Sequence, residues 1–181
     1  MDDRCVRAAD GSDVEAICRI CAEGWRDTYA GLRRDAEIEQ VIAEFYSAER
    51  VRSELAPAGP DWSGWLVAEA EAGEVVGAGA GGLTGPGVGE VFVLYVDPRR
   101  QREGAGRALL EAITERQLAD GAHEQWVSVE PANPKGIPFY ESQGFTLAGK
   151  QQAFQMSGDS LRYRRALPHR PTPAPAPRRT P

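Results

Sequence analysis

Apolar positions along the chain follow two periods. Val14, Ile17, Cys18 and Cys21 recur every three to four residues, on one side of a helix predicted over residues 13–24. Ile38, Val41, Ile42, Phe45 and Val51 do the same in a second predicted helix, 36–55. Ala108, Leu109, Ala112, Ile113 and Leu118 mark a third, which begins at Arg107. Around these lie short β-branched and aromatic runs that predict strands at 5–8, 65–69, 75–80, 90–96 and 124–129. A short helix is predicted from Asn133 through Glu141, and a final hairpin pairs 145–154 with 161–167 around Ser157-Gly158-Asp159. The resulting order, β-α-α-β-β-β-α-β-α-β-β, predicts an α/β sandwich on one mixed sheet.

Punctuation sharpens this outline. Ser12-x-x-Glu15 has the capping-box spacing ahead of the first helix. The run GGLTGPGVG at 81–89 lacks a lysine and a following helix, so it reads as a flexible hairpin connection rather than a phosphate loop. The stretch PHRPTPAPAPRRTP at 168–181 has no apolar periodicity and reads as a disordered tail behind a domain at 1–167.

Composition narrows the class. With 181 residues, 41% hydrophobic and 27% charged, the chain suits one soluble domain with a substantial core. No apolar run reaches membrane-spanning length, and the N-terminus MDDRCVRAADGSD is unlike a signal peptide, so a cytoplasmic protein is expected. Three cysteines make an odd count, against a disulfide framework. Cys18-x-x-Cys21 lacks a second ligand pair and reads as two small apolar residues on a helix face, not a metal site. Six of the 21 Lys and Arg residues follow Asp159, where no acid follows, so residues 1–161 carry 15 bases against 27 acids. An acidic body argues against nucleic acid; it suits a cationic acceptor, or is simply a solvated surface.

The chemistry concentrates between Glu90 and Leu110, EVFVLYVDPRRQREGAGRALL. A strand ends at Asp97-Pro98, a glycine-punctuated loop follows (QREGAG, Gln101 to Gly106), and a helix starts. Unpaired N–H groups at a helix start, with the macrodipole behind them, favour an anion, and glycines let backbone approach it. The loop lacks the Lys-Ser/Thr of a nucleoside-triphosphate loop, and Leu109 stands where a dinucleotide fingerprint needs its third glycine.

Gln101-x-x-Gly104-x-Gly106 instead resembles the Q/R-x-x-G-x-G/A pyrophosphate loop of the GNAT acyltransferase superfamily. Downstream, NPKGIPFYESQGF (Asn133 to Phe145) resembles the family segment N-x-x-A-x-x-F-Y-x-x-x-G-F, with Gly136 in place of the usual alanine. Trp25-Arg26-Asp27-Thr28-Tyr29-Ala30-Gly31 resembles the W-x-x-T-Y-x-G segment of one subgroup, between its first two helices.

The resemblance implies a mixed, mostly antiparallel central sheet flanked by helices. It also implies transfer of an acetyl group from acetyl-CoA, as cosubstrate, to an amine through a tetrahedral intermediate. Backbone N–H groups of Arg102, Glu103, Gly104, Ala105, Gly106 and Arg107, with Gln101, would hold the pyrophosphate. Arg102 and Arg107 either add charge or are a solvated loop. Leu94, Tyr95 and Val96 would pair with the pantetheine arm, and an N–H near Val96 would face the oxyanion. Glu90 is the candidate general base, or a strand-edge surface residue. Tyr140 would protonate the leaving thiolate, or is a core aromatic beside Phe139. Asn133 would cap its helix and contact the coenzyme arm. Trp25 and Tyr29 either line the acceptor pocket or belong to the core. The acceptor stays open among small-molecule amines, an antibiotic amine and a protein N-terminus or lysine; a homodimer is a family-level expectation. The alternative is a non-catalytic module that binds acetyl-CoA as a sensor. It would keep the loop without the catalytic groups.

Overall fold

The computed structural model describes residues 5–71, 73–153 and 158–168. Phe154 and most of the 168–181 stretch lie outside the described residues.

The chain begins with strand β1 (Cys5–Ala8), then helices α1 (Val14–Tyr29), α2 (Asp35–Phe45) and α3 (Ala48–Ser53). Strands β2 (Leu66–Glu69), β3 (Val75–Gly85) and β4 (Val88–Val96) follow. Helix α4 (Ala105–Ala119), strand β5 (Glu124–Val129), helix α5 (Gly136–Ser142) and strands β6 (Thr146–Gln152) and β7 (Asp159–Ala166) complete it. The sheet order is β1-β2-β3-β4-β5-β7-β6. β4 and β5 run parallel; the other neighbours are antiparallel. This is the mixed, mostly antiparallel sheet that the family resemblance implies.

Both faces of the sheet are covered. Val14, Ile17, Trp25, Ile38 and Val51 pack from α1–α3 against Val67, Ala78 and Ala80. Leu109, Leu110 and Ile113 of α4, with Tyr140 of α5, pack on the opposite face against Val76, Val91, Val127 and Tyr163.

Four boundaries differ from the sequence expectation. The helix predicted over 36–55 is two: Tyr46 leaves helical geometry (φ −126°, ψ 26°), and Ser47 Oγ caps α3 by accepting from Arg50 N at 3.4 Å. The capping box sits two residues upstream of Ser12-x-x-Glu15. Asp10 Oδ1 accepts from Ser12 N, and Asp13 Oδ2 accepts from Asp10 N, each at 2.8 Å. α1 runs past Gly24 to Tyr29, because Gly24 serves contact instead of a stop: a Cβ there would lie 2.5 Å from Tyr95 Cδ1. Of the glycine run read as a hairpin connection, 81–85 belong to β3 and 88–89 open β4, so the connection shrinks to Pro86-Gly87. Gly82 carries no side chain because the backbone of Asp61 lies against it.

Candidate active site

The site forms where two central strands part. β4 and β5 pair from Val88 opposite Glu124 to Val91 opposite Val127. At that point Phe92 is bulged out: Ala80 pairs with Val93 and Gly81 with Val91, leaving Phe92 without a partner on β3. Beyond the bulge β4 continues beside β3 alone, and its other edge borders a cavity of about 720 Å³.

The loop after β4 is anchored by Asp97. Its buried carboxylate accepts from Arg99 N and Nε at 3.0 Å each, from Arg99 Nη2 at 2.8 Å and from Arg19 Nη1 at 2.8 Å. The Arg99 guanidinium, assisted by Arg19, holds this carboxyl well below the usual carboxylate range. A turn at Pro98–Arg100 follows, then two left-handed residues, Arg102 (φ 66°) and Gly104 (φ 93°), and α4 starts at Ala105. Gly104 is the position a β-branched residue cannot occupy without strain.

Ala105, Gly106 and Arg107 are the first residues of a 15-residue helix, so their N–H groups have no intrahelical acceptor and share its dipole. A Cβ on Gly106 would meet Val96 Cγ2 at 3.5 Å and Phe139 at 3.7 Å, in ordinary van der Waals contact, so an alanine would fit this turn. Gln101, Arg102, Gly104, Ala105, Gly106 and Arg107 all line the cavity. Glu103 is turned away from it: its carboxylate takes Arg100 Nε at 3.1 Å. A backbone cradle with two arginines on its rim and its one acid engaged elsewhere fits a pyrophosphate.

α5 forms the facing wall. Asn133 Oδ1 accepts from Gly136 N at 2.8 Å and Lys135 N at 3.0 Å, which caps the helix start. A Cβ on Gly136 would lie 2.6 Å from Asn133 Nδ2. Tyr140 lines the same cavity as Leu94, Tyr95 and Val96. It is packed edge-on between Phe139 (5.1 Å between centroids) and Phe145 (5.4 Å). Burial pushes the Tyr140 hydroxyl well above its ordinary pKa, so it holds its proton at neutral pH.

A second cavity, of about 540 Å³, lies on the α1–α3 face. It meets the first at Tyr29, Val91, Phe92, Tyr95, Ser128 and Glu130, which line both. Trp25 is a core residue that also forms part of this wall. It is buried, donates from Nε1 to Tyr46 Oη at 3.1 Å and stacks on Tyr29 at 4.4 Å. Tyr29 stands at the junction, its pKa pushed up to about 12 by burial and, secondarily, by Glu130.

Glu90 opens into the second cavity, not the first. Both its oxygens engage Arg162 of β7, with Nη2 to Oε2 at 3.0 Å, so the carboxylate is one half of a bidentate ion pair. Glu130, shared by both cavities, pairs with Arg33 at 3.1 Å. The sequence reading missed Arg162, Glu130, Phe92 and Trp62. Only Trp62 carried a local signal, as a large aromatic inside the polar loop 57–64.

Residues 25–145 match the family model described as Acetyltransferase (GNAT) family. The chain belongs to this family. It is 32% identical to the uncharacterized N-acetyltransferase YuaI of Bacillus subtilis over 142 residues, 76% of this chain and 77% of that protein. It is 33% identical to mycothiol acetyltransferase of Propionibacterium freudenreichii over 129 residues, 63% of this chain and 41% of the relative. Two further curated relatives, a mycothiol acetyltransferase and a ribosomal protein bS18 alanine N-acetyltransferase, are likewise covered over only 31% and 39% of their lengths. In fold it is similar to the PaiA N-acetyltransferase of Thermoplasma acidophilum, solved with coenzyme A. The TM-score is 0.79 at 23% identity, over 91% of this chain and 99% of that one. Among GNAT proteins, then, the architecture is shared well beyond the span of the two motifs.

Proposed function

We propose that this GNAT protein transfers an acetyl group from acetyl-CoA to an amine by direct attack. The observation that carries the reading is the meeting of two cavities at the β4–β5 parting, one ending in an anion cradle and the other bearing carboxylates. Coenzyme A in the Thermoplasma structure and the acetyltransferase relatives support it.

When bound, acetyl-CoA supplies an activated thioester; the chain supplies placement and proton handling. N–H groups from Arg102 to Arg107 hold the pyrophosphate, with Arg102 and Arg107 at the rim. The unpaired edge of Leu94–Val96 receives the pantetheine arm as an added strand, beside Asn133. An N–H near Val96 stabilises the oxyanion formed when the amine nitrogen attacks the carbonyl carbon. Glu90, directly or through water, takes the proton the ammonium must lose, while Arg162 fixes its orientation. As the carbon–sulfur bond breaks, Tyr140 gives its proton to the thiolate; the attacking nitrogen loses its second proton as it becomes the amide, and that proton, passed through solvent, restores Tyr140 while Glu90 releases the first to bulk water. The same reading places the enzyme in the cytoplasm without a metal, with residues 1–167 as the catalytic domain, 168–181 as a tail, and two copies pairing as a homodimer.

Calorimetric titration of the purified protein tests the first step. Acetyl-CoA should bind with a Kd on the order of micromolar and NADH should not. Absence of acetyl-CoA binding would remove the reading.

A further inference from the structure

Resting on the acetyl-transfer reading, we propose that the acceptor is an arylalkylamine: a single ammonium on a short arm that carries one flat aromatic body. Three of the chain's four tryptophans, Trp25, Trp62 and Trp65, wall the second cavity. Trp62 and Phe92 lie nearly parallel (10°), with centroids 6.2 Å apart, and Trp65 meets Trp62 edge-on at 6.0 Å. Phe92 is 41% exposed, a large apolar ring left open at the bulge. Trp62 already spends its one donor on Glu54 O at 2.8 Å, so what it offers an occupant is apolar surface.

The polar groups are placed differently. Glu130 and Ser128 sit where the two cavities meet, and Glu90 is tied to Ser128 through Arg162 Nη1, which donates to Glu90 and to Ser128 Oγ at 2.7 Å. Glu90 and Glu130 each carry one guanidinium, from Arg162 and Arg33, and a carboxylate has acceptor sites beyond those one guanidinium fills. A single ammonium is therefore accommodated at the junction, next to the thioester. Elsewhere the cavity offers one more carboxylate, Glu54, engaged by Arg50 Nε at 2.9 Å. A polyamine lacks the flat body that these rings would bury, and is disfavoured on that ground. A sugar amine would press hydroxyls against ring faces and lose their hydrogen bonds to water. A peptide N-terminus would need backbone partners that these rings do not provide. A flat apolar body gains instead by burial against them.

The test compares CoA release at saturating acetyl-CoA for phenethylamine and tryptamine, for spermidine, and for a peptide with an N-terminal alanine, with acetyl-CoA binding measured by calorimetry on the same preparation. The aromatic amines should exceed the other two in kcat/KM by about tenfold or more. Trp62→Ala should raise the KM for phenethylamine by about tenfold while leaving that for acetyl-CoA within about twofold, and Trp62→Phe should recover most of the loss. Preference for spermidine or the peptide, or an unchanged phenethylamine KM in both variants, overturns the acceptor class and leaves acetyl transfer standing. Acetyl-CoA binding with no release from any of the amines also overturns it. Failure to bind acetyl-CoA overturns the underlying reading and the acceptor class with it.

Discussion

The two cavities share six lining residues, yet they are built by opposite means. The first presents backbone: a left-handed Gly104, the open first turn of α4 and the unpaired edge of β4. The second presents side chains gathered from α1, α2, α3, the loop bearing Trp62, β4, β5 and β7. Backbone geometry is dictated locally, so a contiguous motif suffices to build an anion cradle. A side-chain surface exists only after the helices have packed on the sheet, so its identity is spread over residues far apart in the chain. On the acetyl-transfer reading proposed above, the first cavity sets how the coenzyme is held and the second which amine is accepted.

Substitutions in the first cavity put the contrast at risk most directly. Gly104→Val should weaken acetyl-CoA binding by more than about a hundredfold while the domain stays folded, since the left-handed conformation costs a β-branched residue only about 1–3 kcal/mol. Calorimetry paired with circular dichroism checks both parts; undiminished affinity would show that the cradle is not made by this backbone. Next in size, Tyr140→Phe and Glu90→Gln should each lower kcat by roughly 10–100-fold with acetyl-CoA affinity within about twofold. In the parent enzyme kcat/KM should rise with pH as the amine deprotonates. Because burial raises the Tyr140 pKa, its proton is retained and no decline should set in below about pH 10. A descending limb at lower pH, or full activity in Tyr140→Phe, would take the tyrosine out of the proton path. The smallest effect is expected for Gly136→Ala. Its Cβ would press Asn133 Nδ2 from 2.6 Å, so the KM for acetyl-CoA should rise by about two- to fivefold, with the second cavity's amine preference unchanged. A lowered KM would mean that Asn133 yields at no cost.

The sequence was legible where the physics is local. Among the described residues, all seven strands stand within a few residues of their predicted runs, apart from the extended β3, because β-branched runs and turn residues act at short range. The helix break at Tyr46 was missed because Ile42, Phe45 and Val51 keep helical spacing across it; the Ser47 cap was the available sign. The glycines from 81 look like a loop in isolation and become a strand only when Asp61 and α4 crowd them. Among the anticipated site residues, the loop and Tyr140 fall together on one cavity, whereas Glu103 pairs away with Arg100. Arg162 could not be anticipated: it reaches Glu90 across 72 positions, through a strand order in which β7 lies next to β5.

The bulge at Phe92 also sets the phase of β4. Val91 faces the α4 side together with Leu94 and Val96, while Val93 and Tyr95 face α1. Strict alternation would have placed Val91 with Val93. The extra residue resets that count, and so lets Glu90 look into one chamber while the strand beyond opens onto the other. Deleting Phe92 would make the Gly81–Val91 and Ala80–Val93 pairs successive, so Val91 would stay on the α4 side and Glu90 on the other. Straightening the strand with Phe92 drawn into the ladder would instead turn Glu90 into the oily layer beneath α4. A lost codon there would thus leave the strand's two sides where they are, while a bulge pressed flat would exchange them.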